Sequence, residues 1–531
     1  MSFLSYRTPP KVSDKSALDL KRTVVSDSTF SIGDNWLRKN RFGLWEAKLT
    51  GLPFEIGAKY GILAKELIQN QEIVFVNEFS KAVPGKFKQF FLKHLIGLFN
   101  RKLDKHIPLE YLLEIYGGSF ANSKKFNSIA PAYLRVINYH AAHDIGHALN
   151  DYQLVGCSSF SVRGSKTEDG QIISGRNFDF YSGDEFAKTK VISFVEPKEG
   201  HKFASFSWPG FSGVVSGMNV KGITVTMNAA KSTLPRSSKT PISLLGRELL
   251  QYASTIEEAV AIADKRDVFV SETIMVNSAK DNAAVLIEKA PKQSDKFTTT
   301  DDTIVCANHF QSELFAQSEL NLDNIDQSDS IYRFNKMKQL IEQAKDINAE
   351  KVAEILRDRT GTNGNDLGNG NPRAINQLIA HHSVIFQPSQ LKMWVSTEPW
   401  QVGEYICYDL NKVFELSGVP DQDIDEKPLE IAADPFIETK EYQAFLMFRK
   451  LKSQLNEFIY DRSDFVLDEN SEKEFINSNP KYYEVYMILG MYFKKLKQYD
   501  KAKMYFKQAL DNVVASKEEE EKIKALMTKC K

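Results

Sequence analysis

The chain has 531 residues, 68 Lys and Arg against 69 Asp and Glu for a formal net charge of −1, with 42% hydrophobic and 26% charged residues. That balance belongs to a folded protein; it excludes a disordered tail, a collagen-like repeat and a coiled-coil rod, and it argues against a nucleic-acid binder, which carries a basic excess. At roughly 150 residues per domain the length allows about three domains or one large domain with additions.

In chain order, residues 1 to about 35 are polar, hold Pro9-Pro10 and read as an extended lead-in. The opening MSFLSYRTPPKVSDK lacks the apolar stretch of a signal peptide, and no apolar run reaches the ~18 residues that cross a bilayer. A leader trimmed from the chain is compatible with this, so the compartment stays open. From Trp36 to Asn150 the pattern is mainly helical. Residues 57–79 carry apolar positions at helical spacing, and 86–105 (KFKQFFLKHLIGLFNRKLDK) place Phe87, Phe90, Phe91, Leu95, Leu98 and Phe99 among Lys and Arg. Such a face usually covers a core, and the expectation is that it covers the β-rich domain that follows. The alternative is a helix resting on a lipid surface or lining an acyl-chain entrance.

At Gly156 the texture changes. CSSFSVRG, KTEDG and QIISGRNFDF read as strand, turn and strand, with Asp169-Gly170 as the turn signal. Further strands follow in KVISFVEP, KFASFSWP, VVSGMNV, GITVTMNAA, ETIMVNSA, AAVLIEKA and TIVCANHF. A helix, SLLGRELLQYASTIEEAVAIADK, sits among them and another covers about 329–357. HHSVIFQP and LKMWVSTEP close the region near 400. Runs of strands broken by a few helices predict a layered α+β domain. From about 437 the chain is helical again. Residues 483–514 fit one tetratricopeptide-like repeat at Tyr486, Leu489, Gly490, Phe493, Tyr499, Ala502, Phe506 and Ala509, capped by KEEEEKIKALMTK. Since about three repeats are needed for a free-standing array, a single one must lean on the rest of the protein.

The four cysteines, Cys157, Cys306, Cys407 and Cys530, show no CxxC or Cys/His finger spacing, so neither a zinc module nor a disulfide framework is expected. A lone Cys is ordinarily a small buried hydrophobe. Cys157 differs through its company. The hairpin returns GRNFDF alongside the strand that Cys157 opens, bringing Arg176 and Asp179 within reach of the sulfur. Because positions three apart on a strand face opposite sides, a bulge or a strand end must aim both at one site.

The run Gly156-Cys157-Ser158-Ser159-Phe160, followed by Gly175-Arg176-Asn177-Phe178-Asp179-Phe180, resembles the cysteine-type N-terminal nucleophile (Ntn) hydrolases, a group that includes acid ceramidases, bile salt hydrolases and penicillin V acylases. Within it the chain looks most like the autoproteolytic acyl-coenzyme A:6-aminopenicillanic acid acyltransferase family. Three later segments agree in order: 217–228 (GMNVKGITVTMN), 307–310 (ANHF) and 329–333 (DSIYR). The resemblance covers about 45 to 410 and implies an αββα sandwich. It also implies that the precursor cuts its own Gly156–Cys157 bond, dividing the chain into a light chain, 1–156, and a heavy chain whose Ntn domain is 157–430, with a helical region at 431–531. The two chains are expected to stay associated.

Cleavage would free the Cys157 α-amine, whose ordinary pKa is near 8, basic enough to serve its own thiol. A guanidinium beside the sulfur favours the thiolate, a role the resemblance gives to Arg176, while Asp179 would orient the amine. The oxyanion donors it implies are the Asn308 side chain and the backbone N–H of Asn228, with Arg333 bracing the site. His309 is read as structural. The implied activity is attack on an N-acyl amide, with the acyl group passed from Cys157 to water, or alternatively to an amine. A lipophilic acyl group is favoured by the apolar lead segment. No cofactor, metal or nucleic acid is called for.

Plainer readings stand beside these. Arg176 and Asp179 would also make a structural ion pair, and Asn228 and Asn308 would serve as strand-end turn residues. His140, His143 and His147 share a helical face in HAAHDIGHAL, but HExxH is absent, so metal binding is the minority reading. His381-His382 reads as packing or capping. A catalytically silent scaffold that recruits partners through its tail is the alternative of another class.

Overall fold

The computed structural model describes residues 7–83, 85–141, 144, 156–181, 183–231, 233, 235, 237–460 and 462–531. Its strands are β1 Thr23–Ser26, β2 Thr29–Ile32, β3 Asn35–Lys39, β4 Trp45–Gly51, β5 Ser158–Val162, β6 Ile173–Phe178, β7 Val191–Pro197, β8 Phe203–Ser207, β9 Ser216–Asn219, β10 Ile223–Ala229, β11 Glu272–Ser278, β12 Ala283–Ala290, β13 Gln293–Phe297, β14 Thr303–Cys306, β15 His382–Gln387, β16 Lys392–Ser396 and β17 Tyr405–Asp409. They form an eleven-stranded sheet in the order β1-β2-β3-β4-β7-β8-β9-β10-β11-β12-β13 and a six-stranded sheet in the order β14-β5-β6-β15-β16-β17. Within the large sheet β4 runs parallel to β7, whereas its other neighbours in the order are antiparallel.

Side-chain alternation explains why the sheets stack. Trp36, Ile192, Phe194, Phe206 and Met218 of the large sheet share one core with Val384, Phe386, Met393, Val395, Ile406 and Tyr408 of the small one. The opposite face of the large sheet, through Leu49, Val195, Val225 and Ile274, packs on helices Pro53–Leu63 and Ile242–Tyr252. The opposite face of the small sheet, through Phe160, Val305 and Ile385, packs on helices Ser330–Gln343 and Ala349–Leu356. The protein is a mixed α+β structure with helices outside two stacked sheets, and burying each such side chain contributes about 1.5–3 kcal/mol.

The strands expected after Gly156 are all present. The opening of the chain departs from expectation. Residues 23–51, read as an extended lead-in running into helix, supply four strands to the large sheet. Their sequence hides the strand period because charged residues lie inside. Glu46 is fully buried and its carboxylate accepts from Arg38 Nε at 2.7 Å, Asn40 Nδ2 at 3.1 Å and the Tyr408 hydroxyl at 2.7 Å. Lys48 on β4 pairs with Glu196 on the neighbouring β7 at 3.0 Å. Two long helices are each broken. Thr255 caps Ile256–Asp264 by accepting from the Glu258 N–H at 3.2 Å, and Asn348 caps Ala349–Leu356 by accepting from the Lys351 N–H at 3.1 Å. Each cap supplies a partner for the open end of a new helix.

A second departure concerns helix Lys86–Phe99. Apart from Phe99, which packs on Phe269, most of the expected apolar face does not cover the β-domain: Phe87 is 81% exposed and Phe91 64%, with Phe90, Leu95 and Leu98 also facing outward. Among the described residues no helix is long and apolar enough to cross a membrane.

The C-terminal region contributes five helices, Lys440–Ile459, Glu469–Ser478, Tyr483–Lys495, Tyr499–Asp511 and Lys517–Thr528. Gly490 lets the third and fourth approach: a Cβ there would lie 2.6 Å from the Phe506 ring. Phe445, Phe475, Tyr482 and Phe506 join Leu378 and Val402 of the preceding region in one core.

Candidate active site

Cys157 immediately precedes β5, which lies between β14 and β6 in the small sheet, and is buried. In the β5–β6 register Ser159 faces Arg176, so Arg176 lies one diagonal step from Cys157 on the same face. The requirement for a bulge or a strand end is met by the latter: β6 stops at Phe178, and Asp179 lies just past it.

Arg176 Nη2 lies 3.6 Å from Cys157 Sγ, and the same nitrogen donates to the Met227 carbonyl. Nη1 donates to the Val215 carbonyl at 3.1 Å and to Ser216 Oγ at 2.6 Å. The guanidinium therefore reaches across the gap to β9 and β10 and sits 4.1 Å over the Phe178 ring. Arg333 enters from the helical side. Its Nη1 donates to the Cys157 carbonyl at 2.6 Å and to Ser158 Oγ at 3.1 Å, while Nη2 donates to Asn308 Oδ1 at 2.8 Å. An arginine early in a helix is commonplace in sequence, yet this one touches the backbone of Cys157.

Asn308 Nδ2 donates to the Ala229 carbonyl at 2.8 Å, and its backbone N–H donates to Ser330 Oγ at 2.7 Å. His309 Nδ1 contacts the same hydroxyl at 2.7 Å and is brought down to about 4 by burial and by Arg333, so it is neutral and positions Ser330. Asn228 is tied by its side chain: Nδ2 donates to the Cys306 and Ala307 carbonyls, each at 3.1 Å, and Oδ1 accepts from Ser159 Oγ at 3.1 Å.

The backbone donor expected at Asn228 needs correction. The β10–β11 ladder runs from the Ala279 N–H, which donates to the Gly222 carbonyl, to the Ala230 N–H, which donates to the Ser271 carbonyl, both at 3.0 Å. Alternation between these ends turns the Asn228 N–H towards Thr273, its partner in register, so it belongs to the ladder. The N–H that faces away from β11 is that of Ala229, on the side where Asn308 sits.

Electrostatics follow from depth. Burial pushes the Cys157 thiol up to about 11 against the opposing pull of Arg176. In the uncut chain the thiol is thus protonated. Burial likewise pushes the Asp179 carboxyl up to about 8, against Arg333 and Arg176. Among the described residues neither Asp179 oxygen has a hydrogen-bond donor, so this buried group is free to accept a new one.

Ser216 carries no signal in the sequence, and the His381-His382 pair has a role beyond the one expected of it. Ser216 Oγ, which accepts from Arg176, contacts His382 Nε2 at 2.8 Å, and His382 Nδ1 lies 2.8 Å from His381 Nδ1. Both imidazoles are held well below their usual range by burial. With both neutral, the donors run in one direction: Arg176 to Ser216, Ser216 to His382, His382 to His381. The histidine pair thus does more than pack or cap; it fixes the hydroxyl that fixes the arginine. Around the sulfur, Phe178, Phe186, Trp208 and Val215 form an apolar wall, with Phe75, Phe180 and Phe211 behind.

His140 is not arranged as a ligand. Nδ1 lies 2.8 Å from the Val136 carbonyl, Nε2 accepts from the Ser212 N–H at 3.0 Å, and the ring stacks on Phe211. His143 and His147 lie outside the described residues, and among those described no cluster suits a metal ion.

Residues 165–398 match the model of the acyl-coenzyme A:6-aminopenicillanic acid acyl-transferase family. That segment is similar to this family. It contains Arg176, Asp179, Asn228, Asn308 and Arg333, while Cys157 lies just ahead of it. An uncharacterized protein of Archaeoglobus fulgidus is 24% identical over 408 residues, 67% of this chain and 65% of that one. The N-acylethanolamine-hydrolyzing acid amidase of Caenorhabditis elegans is 25% identical over 224 residues, 40% of this chain and 59% of that one. This chain thus spans less than two thirds of either relative. Among solved structures, a Caenorhabditis elegans N-acylethanolamine-hydrolyzing acid amidase ortholog is 17% identical at TM-score 0.32, covering 44% of this chain and 93% of that one. A mutant conjugated bile acid hydrolase from Clostridium perfringens is 13% identical at TM-score 0.34, covering 48% and 93%.

Proposed function

We propose that the protein is a self-processing cysteine amidohydrolase of the Ntn type, with Cys157 as nucleophile and an N-acyl amide as substrate. The observation that carries this reading is the arrangement at the start of β5: Arg176 lies 3.6 Å from Cys157 Sγ, Arg333 holds the Cys157 carbonyl at 2.6 Å, and the Asp179 carboxyl is buried without a donor, its backbone carbonyl accepting from the Gly156 N–H. Cleavage supplies what Asp179 lacks. The freed α-amine donates an N–H to Asp179, which gives up its proton to solvent, and the carboxylate holds the neutral amine against the thiol and stabilises the ammonium that forms when it takes the thiol proton. The amine then takes the thiol proton as sulfur attacks the amide carbonyl, Arg176 supports the developing thiolate, and the Asn308 amide with a backbone N–H of β10 receives the oxyanion. The amine leaves with the proton, and water releases the acyl group from the thioester.

Transfer of the acyl group to an amine is the second reading, favoured by the family match at residues 165–398. Hydrolysis and transfer share every residue through acylation. The apolar wall of Phe178, Phe186 and Trp208 beside the sulfur suits a lipophilic acyl group. The outward Phe87, Phe90 and Phe91 on helix Lys86–Phe99, flanked by Lys88 and Lys93, suit contact with an anionic lipid surface. The helical hairpin 483–511 is a single tetratricopeptide-like unit that packs against its own chain.

The test is intact-mass analysis of purified protein. Wild type should give fragments of 156 and 375 residues (531 − 156), and Cys157→Ala should remain whole. Incubation with N-acyl amides, with and without an acceptor amine, separates acid from transferred product. An uncut wild type whose Cys157 takes no acyl-thioester label sinks the reading.

A further inference from the structure

The Gly156–Cys157 peptide has a partner that the activity above leaves unused. Gln377 Nε2 donates to the Gly156 carbonyl at 3.2 Å, and the Gly156 N–H donates to the Asp179 carbonyl at 3.0 Å. Both contacts hold the Gly156 side of the bond that must break, and the Arg333 hydrogen bond to the Cys157 carbonyl holds the other side. Gln377 is buried, and its amide lies flat against Gly156: a Cβ on Gly156 would stand 2.4 Å from Nε2 and 3.0 Å from Oε1. Among the described residues no other donor reaches this carbonyl. We infer that Gln377 is the oxyanion donor for cleavage of the chain's own Gly156–Cys157 bond, an assignment that rests on the self-processing reading.

The loop carrying Gln377 is built to hold it still. Leu378 adopts φ +54°, a left-handed conformation that a branched side chain resists. The conformation persists because its surroundings fix it. The Leu378 N–H donates to Asn376 Oδ1 at 3.0 Å, the Asn376 N–H donates to the Asp358 carbonyl at 2.8 Å, and Asn177 of β6 donates to the Ile375 carbonyl at 3.0 Å. Upstream, the loop is fastened to the C-terminal helices. Asn369 and Asn479 exchange hydrogen bonds at 3.0 and 2.7 Å, and Asn371 Nδ2 donates to the Val513 carbonyl at 2.9 Å. A neutral amide also suits the task. It stabilises an oxygen that becomes negative without placing a permanent charge against a neutral carbonyl in a buried site.

The step balances within the chain and one water. Cys157 Sγ attacks the Gly156 carbonyl carbon, forming the S–C bond while the C=O π pair moves to oxygen, where Gln377 Nε2–H meets it. The oxyanion collapses, the C–N bond to Cys157 breaks, and the thiol proton ends on the departing α-amine. The product is a Gly156 thioester on Cys157 Sγ. Water then attacks it, leaving a Gly156 carboxylate and the free thiol.

The experiment follows self-cleavage of the full chain during pulse-labelled cell-free synthesis on denaturing gels, scored in the soluble monomer fraction. Gln377→Met keeps the shape and removes the donor. It should slow cleavage about 10²-fold, the usual loss for one oxyanion donor, while the uncut product melts at the temperature of uncut Cys157→Ala. Gly156→Ala should slow cleavage by displacing the Gln377 amide, and should add little in a Gln377→Ala background, where the space is open. This second readout serves where Gln377→Met fails to reach the soluble fraction. Cleavage of Gln377→Met within threefold of wild type overturns the assignment, as does equal slowing by Gly156→Ala in both backgrounds. Wild type that never cuts overturns the self-processing reading itself.

Discussion

At the scale of single residues the site turns on a contest between burial and charge, and in the intact chain burial wins. Arg176 reaches the sulfur, yet the thiol stands at about 11 and Asp179 at about 8. An ordinary Asp titrates near 3.9 in the unfolded chain. Between about pH 4 and about 8 the unfolded state has released a proton that the folded state keeps, so Asp179 makes the precursor less stable as pH rises, and its contribution levels off above about 8. Asp144, also pushed to about 8 by burial, and Glu272, raised by burial and by Asp144, add slope of the same sign. Thermal melts of Cys157→Ala and Cys157→Ala/Asp179→Asn from pH 4 to 9 isolate the Asp179 share. The double variant should melt higher at pH 8 and match the single variant near pH 4; parallel curves would show that Asp179 is ionised in the precursor. For the cut protein the expectation concerns Arg176. An opposite charge at this distance moves a pKa by about 1–3 units, so Arg176→Lys, which cannot reach four partners at once, should slow iodoacetamide alkylation of Cys157 at pH 7 by about tenfold or more. An unchanged rate would mean that the guanidinium is structural. The sequence made Cys157, Arg176 and Asp179 legible because their types and spacing carry chemistry. Gln377, Ser216 and Ser330 were invisible there, since a Gln or a Ser acquires meaning only from the atom it meets.

Elements were legible where their apolar residues follow one period and obscure where partners override it. β10 and β11 are read at once from GITVTMNAA and ETIMVNSA. β17, Tyr405–Asp409, is buried nearly throughout and so shows no alternation, whereas β13, Gln293–Phe297, is polar and mostly outward. Helix Lys86–Phe99 was legible as a helix but not in its aim, because amphipathicity states that a face is apolar without stating what covers it. With Phe87, Phe90 and Phe91 outward, Phe90→Ser/Phe91→Ser should reduce co-sedimentation with anionic phosphatidylserine vesicles several-fold and leave the melting temperature within about 2 °C, as expected for surface substitutions. Equal sedimentation of the two proteins removes the lipid role. The loop at 367–378 makes a separate demand on the tail. Asn479→Ala breaks the reciprocal pair with Asn369 and should slow self-cleavage by less than Gln377→Met does, since it loosens the donor without deleting it. Cleavage at the wild-type rate would show that the tail does not brace the loop.

For the whole molecule, the position of the cut matters more than the number of domains. Length and composition allow about three domains or one large domain with additions. The proposed cleavage point directly precedes β5 of the small sheet, and the segment before it is woven into the large one. β4 lies beside β7 along seven paired positions, from Trp45 with Val191 to Gly51 with Pro197. Arg38 donates to the Pro420 and Gln422 carbonyls at 3.2 and 2.6 Å, and Arg41 grips Asp425 at 2.7 and 2.8 Å, so residues near 40 are fastened to residues near 420. Helices Pro53–Leu63 and Lys65–Ala82 share their core with β7, β8 and β10. Separating residues 1–156 from the rest would open a mid-sheet edge and strip a face of the main core, whose side chains each contribute about 1.5–3 kcal/mol. Dissociation therefore amounts to unfolding. The cut protein should elute as one species of about 60.3 kDa on gel filtration even at nanomolar concentration, and its two fragments should separate only through the urea transition that also abolishes the near-ultraviolet signal of its tryptophans. A light chain that leaves at urea concentrations below that transition would mean that the β4–β7 seam is a domain interface rather than the interior of one sheet.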